Sequence, residues 1–147
     1  MGRSILAVVV AYVAMFGLAF IAFACAYLIV GPDVAFKTGI YEASPNWIGI
    51  AFVIQFVIAI IGGIICALIA KGGRAPFALA IVAIVLGIGV ALADMNQAKT
   101  NAGLVRTRNT PQLEAVQKAY WPVWVPFAFP FTSAVGVLIG GKTKRRQ

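Results

Sequence analysis

No histidine occurs in these 147 residues, and that removes much of the chemistry open to a small protein. Haem ligated by His, zinc held by His, and Ser-His or Cys-His nucleophilic catalysis all need an imidazole. So does His ligation of chlorophyll magnesium. Acid–base or metal chemistry is left with four carboxylates (Asp33, Glu42, Asp94 and Glu114) and two cysteines, Cys25 and Cys66. The polar residues around Asp94, Asn96, Arg106, Arg108 and Glu114 are the one cluster an enzyme could use. A solvated connection is the ordinary reading of such a stretch. The sequence therefore implies no enzyme, and no catalytic, metal-binding or cofactor-binding residue is assigned.

Cys25 lies near the outer end of the first apolar run and Cys66 near the inner end of the second, about 20 Å apart along the membrane normal at the helical rise. A disulfide needs Cα atoms within about 7 Å, so both are read as free, buried thiols. Gln55 is the one strongly polar residue inside the second run. It could touch a ligand, a quinone or an ion, but an interhelical hydrogen bond is the commoner use of such a residue. None of the apolar runs contains a charged residue, which counts against a proton- or cation-coupled transporter.

The elements that position these residues follow from composition. The chain is 62% hydrophobic and 11% charged, with mean hydropathy +0.97. A soluble domain is about a quarter charged, and one this small could not hide so much apolar surface. The fold expected is an all-α integral membrane bundle of four helices, forming one domain over residues 1–147. The spans are expected at about 5–30, 47–70, 76–93 and 121–141, each able to cross a hydrocarbon core of about 30 Å. The first run could be taken for a leader cleaved after Ala24-Cys25-Ala26. Its apolar stretch continues to Val30, so it is read as a span.

Gly31-Pro32-Asp33 breaks the first helix, and Ser44-Pro45-Asn46 prepares the second. The tight Lys71–Pro76 connection predicts antiparallel neighbours. Residues 94–120 read as a polar loop on the outer side. Thr110-Pro111 resembles a helix start and Glu114 stands four before Lys118, so a short amphipathic helix is expected within that loop. No internal repeat appears.

Three features point to packing. Small residues recur every four positions: Ala59, Gly63 and Ala67; Ala83, Gly87 and Ala91; Gly136 and Gly140. Such stripes let helix backbones approach in lipid. In WPVWVPFAFPF, Pro122, Pro126 and Pro130 share a face. Pro122 fits a first turn, whereas Pro126 and Pro130 are expected to remove backbone bonds and bend the fourth helix, as a static shape or a hinge. Trp47, Trp121 and Trp124 are expected as interfacial anchors, and Lys142, Lys144, Arg145 and Arg146 as a basic stop beside the headgroups.

The net charge of +8 would suggest nucleic acid in a soluble protein. Here the cations flank apolar runs, so membrane lipid is the acidic partner and no nucleic acid is expected. Arg3, Lys71, Arg74 and the C-terminal cations lie in short segments, which orients both termini to the cytoplasm.

The MGRSILAVVVAYVAM start, the KGGRAP turn and the KTKRR end resemble small uncharacterised four-span proteins of bacterial inner membranes. That resemblance covers the whole chain and implies an inner-membrane location but no activity. Small multidrug exporters carry an acid in their first helix, and this chain has none there. Membrane glutathione transferases carry a Glu-Arg motif and helical arginines, which are also missing. The role these features imply is a non-catalytic accessory subunit of a larger bacterial membrane complex (respiratory, photosynthetic or transport), partnered by other membrane subunits. The alternative is a small channel or carrier for a neutral or lipid-like substrate. Cofactor identity is left open, because a pigment or quinone held by apolar contacts leaves no motif.

Overall fold

A computed structural model of the chain describes residues 2–71, 74–106 and 111–143. Arg108, Thr110, Lys144, Arg145 and Arg146 lie outside the described residues. Among the described residues six helices follow in order: α1 (Gly2–Val30), α2 (Pro32–Ala35), α3 (Pro45–Ala70), α4 (Ala75–Asn101), α5 (Gln112–Lys118) and α6 (Trp124–Thr143). Four of them, α1, α3, α4 and α6, are long and apolar enough to cross a membrane. Among the described residues the non-helical pairing is confined to three isolated bridges.

Local chemistry sets the helix ends. Ser44 caps α3: its Oγ accepts from the Trp47 N–H at 3.1 Å, and Pro45 fills the first turn, where a missing N–H costs nothing. The helix thus begins two residues ahead of the expected Trp47. At its far end Lys71 takes the left-handed conformation, φ 50°, and Arg3 Nε donates to the Ile69 carbonyl at 2.9 Å. A cation on the last carbonyls of a helix suits its dipole.

Two expected boundaries change. The polar stretch beginning at Asp94 does not end α4, which continues to Asn101. Ala, Met, Gln and Lys are good helix formers whatever their polarity. Gln97 and Asn101 also find acceptors on the carbonyls of Gln117, Lys118 and Ala119, at 3.0 to 3.3 Å. Among its described residues, the segment 94–120 therefore holds the end of α4, isolated bridge positions at Val105 and Tyr120, and α5. The fourth long helix starts at Trp124, so Trp121 and Pro122 precede it. Pro126 then falls in the first turn, where the backbone N–H groups have no intrahelical acceptor. Its expected role as a second helix breaker is corrected on that ground. Pro130 is the proline inside the helix.

The main helix contact is α3 with α6, followed by α4 with α6 and α1 with α3. Along α3 and α6 the paired numbers rise together: Ala59 with Gly136, then Gly63 with Val137 and Ile64 with Gly140. Along α4 and α6 they run against each other, Gly87 meeting Pro130 and Pro76 meeting Gly141. So do those of α1 and α3, from Arg3 and Ile69 through Met15 and Gly62 to Tyr27 and Trp47. The short turn ties α3 to α4, yet α4 rests chiefly on α6. One buried core, including Ala11, Met15, Ala59, Cys66, Leu79 and Val137, fills the space between the long helices. A second, around Tyr27, Phe36, Trp47 and Ala115, sits where α1 ends and α3 begins.

Candidate functional site

Among the described residues, polar side chains gather between the long helices and beyond their ends. Between the helices, Gln55 Nε2 donates to Ser133 Oγ at 2.7 Å, and Ser133 Oγ donates to the Phe129 carbonyl at 2.9 Å. Gly63, Gly136 and Gly140 lie along the same α3–α6 seam. A Cβ on Gly63 would strike the Val137 carbonyl oxygen, and one on Gly140 the Ile60 carbonyl oxygen. Gly87 belongs to the neighbouring seam, where a Cβ would come within 2.5 Å of the Pro130 ring. These groups hold helices together and present no reactive atom.

The second cluster is a folded cap. Gly31 and Gly39 turn the chain with φ of 76° and 78°, which glycine adopts without steric cost. The strip from Phe36 to Ala43 then pairs at Ile40 with Val105 and at Glu42 with Tyr120. Lys37 N–H donates to the Glu42 carbonyl, Arg106 N–H to the Gly39 carbonyl, and Tyr120 N–H to the Tyr41 carbonyl, at 2.9 to 3.1 Å. Tyr41 lies at the centre of this stitching and is 1% exposed. Its ring and that of Tyr27 each meet Phe36 edge-on at about 6 Å, and Tyr27 meets Trp47 the same way.

Among the described residues three ion pairs decorate the cap: Lys37 with Glu42 at 2.6 Å, Arg106 with Asp33 at 2.9 Å, and Lys118 with Glu114 at 2.8 Å. Tyr41 also donates its hydroxyl to the same Glu114 oxygen, at 2.7 Å. Donation by Lys118, then by Tyr41, holds the Glu114 carboxyl below its ordinary range, and Glu114 in turn raises Lys118. The signs give a stability window. Glu114 stabilises the cap above its unfolded-state value, and this is lost as pH falls through its lowered folded value. Lys118 stabilises below its unfolded-state value, and this is lost as pH rises through its raised folded value. The cap should therefore loosen in strong acid and again above the usual lysine range, with a plateau between. Trp47 fluorescence against pH checks this, and Glu114→Gln should flatten the acid limb.

Arg106 is the unusual group. Its side chain is 5% exposed, while its partner Asp33 is 68% exposed. Nη2 makes the ion pair, but Nε and Nη1 are buried without an acceptor. The guanidinium stands 5.8 Å from the Phe36 ring centre. A cation–π contact offers about 0.5–2 kcal/mol and a surface ion pair about 0–1 kcal/mol. Desolvating a cation costs several kcal/mol, so the two contacts leave it under-compensated.

The cap corrects one expected anchor. Trp47 is 8% exposed and packed inside protein, because the strip and α5 fold over it. Trp121 packs edge-on against Phe129 at 5.4 Å, whereas Trp124 is 60% exposed and stacks beside Phe52. Lys142 is exposed. Of the polar cluster named from the sequence, Arg106 and Glu114 are built into the cap. Asp94 and Asn96 lie on α4 and bond to neither. The aromatic members Tyr27, Phe36 and Tyr41 carry no motif. Their only trace in sequence is a group of aromatics flanking a Gly-Pro break.

No family model, curated protein or solved structure matches the chain. Among the described residues no group of three or more Cys, Asp or Glu could hold a metal ion. Glu114, ionised and twice hydrogen-bonded, is poorly suited to accept a proton at neutral pH.

Proposed function

We propose that the chain is a non-catalytic structural or accessory subunit of a larger membrane assembly. It stands in a bacterial inner membrane as a four-helix bundle, antiparallel along α1–α3 and α4–α6, with α6 bent at Pro130. Both termini are cytoplasmic and the cap is outside. One observation carries this reading. Beyond the long helices, Val105 is 81%, Leu113 72% and Val116 65% exposed, although the cap buries its own aromatics well. Lipid covers the apolar flanks of spans, but apolar side chains on an aqueous cap favour a partner surface. The sparse burial of α1 adds to it, with 17% of its span window covered against 50% for α6.

The test is affinity purification of the tagged full chain from its native membrane in mild detergent, with mass spectrometry and an absorption spectrum. Partner subunits in fixed ratio are expected, and Leu113→Ser with Val116→Ser should release them. A lone chain would sink the proposal. A second reading, a carrier for a lipid-like substrate, would use the shallow, open apolar face of α3 around Gly49, Ile50, Val53 and Ile54. Flux into liposomes separates the two.

A further inference from the structure

We infer that Arg106 is the centre of an oxyanion site in the cap, taking a phosphate-type group. The guanidinium is held by its own backbone, since Arg106 N–H donates to the Gly39 carbonyl at 2.9 Å and the preceding Val105 bridges to Ile40. Its long side chain thus lies in a set place, over the Phe36 ring. Only Nη2 has an acceptor, the exposed Asp33 carboxylate. Nε and Nη1, which carry most of the guanidinium's N–H donors, have none.

A buried, permanently charged group with unmatched donors calls for an acceptor bearing negative charge. Neutral acceptors would satisfy the hydrogen bonds and leave the charge. The other carboxylates of the cap are engaged elsewhere: Glu42 by Lys37, and Glu114 by Lys118 and Tyr41. Position selects the class of anion. Phe36 touches Tyr27, one turn from the end of α1, and Tyr27 touches Trp47 in the first turn of α3. The guanidinium therefore stands at the level of the span ends, where lipid phosphodiesters are concentrated. A phosphate that displaces the exposed Asp33 carboxylate can accept from Nη2 and from one adjacent unmatched nitrogen through separate oxygens. The same chemistry fits a lipid headgroup or a free phosphate.

The experiment is thermal unfolding of the purified full chain in uncharged detergent. Inorganic phosphate is titrated in one arm and phosphatidylglycerol in the other, with sodium chloride at matched ionic strength as control. A ligand that binds only the folded state raises the melting temperature. A rise in both arms assigns a site open to free phosphate; a rise with phosphatidylglycerol alone assigns a lipid headgroup site. Arg106→Gln should abolish the rise and Lys99→Gln, an exposed cation, should keep it. Asp33→Asn removes the competing carboxylate from an exposed position, so it should tighten binding about two- to five-fold, the weight of one surface ion pair. That variant decides the matter if Arg106→Gln fails to fold. No rise in either arm, a rise that survives Arg106→Gln, or unchanged affinity in Asp33→Asn would overturn the site.

Discussion

Gly140→Val should weaken the protein more than any conservative change on the lipid-facing surface, by about 1–3 kcal/mol and toward the upper end. The added Cβ would strike the Ile60 carbonyl oxygen, with the Ile60 carbonyl carbon at 2.9 Å and the Ile64 nitrogen at 3.1 Å. These are backbone atoms of α3 and cannot rotate aside. The two helices must separate, and separation also loosens Gly63 against Val137 and Gly136 against Ala59. In lipid no hydrophobic effect restores the lost contact, because association rests on close packing and hydrogen bonds. Unfolding in mixed micelles with increasing denaturing detergent measures the loss. Gly49→Ala is the control, since nothing lies within 4 Å of its Cβ position. It should be neutral or mildly stabilising, by up to about 1 kcal/mol. Equal midpoints for the two variants would show that the seam does not depend on glycine.

Tyr41→Ala should dismantle the cap while leaving the long helices intact. The side chain is among the largest fully buried ones. Its removal opens a cavity under the strip, takes an edge contact from Phe36, and deprives Glu114 of a donor. Truncating a buried aromatic costs about 3–5 kcal/mol. The cluster that Phe36 belongs to, with Tyr27, Trp47 and Ala115, joins the strip, α1, α3 and α5, so the loss spreads through the cap. Faster proteolysis in the cap, with helical circular dichroism largely retained, is the expected result. Tyr41→Phe keeps the ring and should leave cleavage close to the parent rate, because the Glu114 carboxylate it releases is partly exposed to water. Cleavage rates unchanged in Tyr41→Ala would mean that the cap is held by its backbone bridges alone.

Legibility differed by element. Apolar length alone marked the four long helices, because a run without charge and without water-facing residues has few ways to satisfy its backbone except as a helix. The boundaries were less legible. Asp94 looked like an end because hydropathy falls there, but helix propensity does not fall with it. Trp121 looked like a start because it is apolar, yet the helix begins three residues later, after Pro122. Gln55 was visible as a polar residue in an apolar run, while its acceptor Ser133 was not, since the two stand 78 residues apart.

By itself the sequence determined the solvent. Its apolar excess and its cations between runs set the chain among membrane-spanning helices. Those properties sum over residues and need no partner in space. The tertiary structure decided which helix lies against which. It set α6 rather than α4 against α3, and turned a stretch that reads as a polar loop into a capped, aromatic-lined fold. It also buried Arg106 beside an exposed Asp33, 73 residues away. Such pairings rest on contacts between residues distant in the chain, whose separation along the sequence carries no periodic signal.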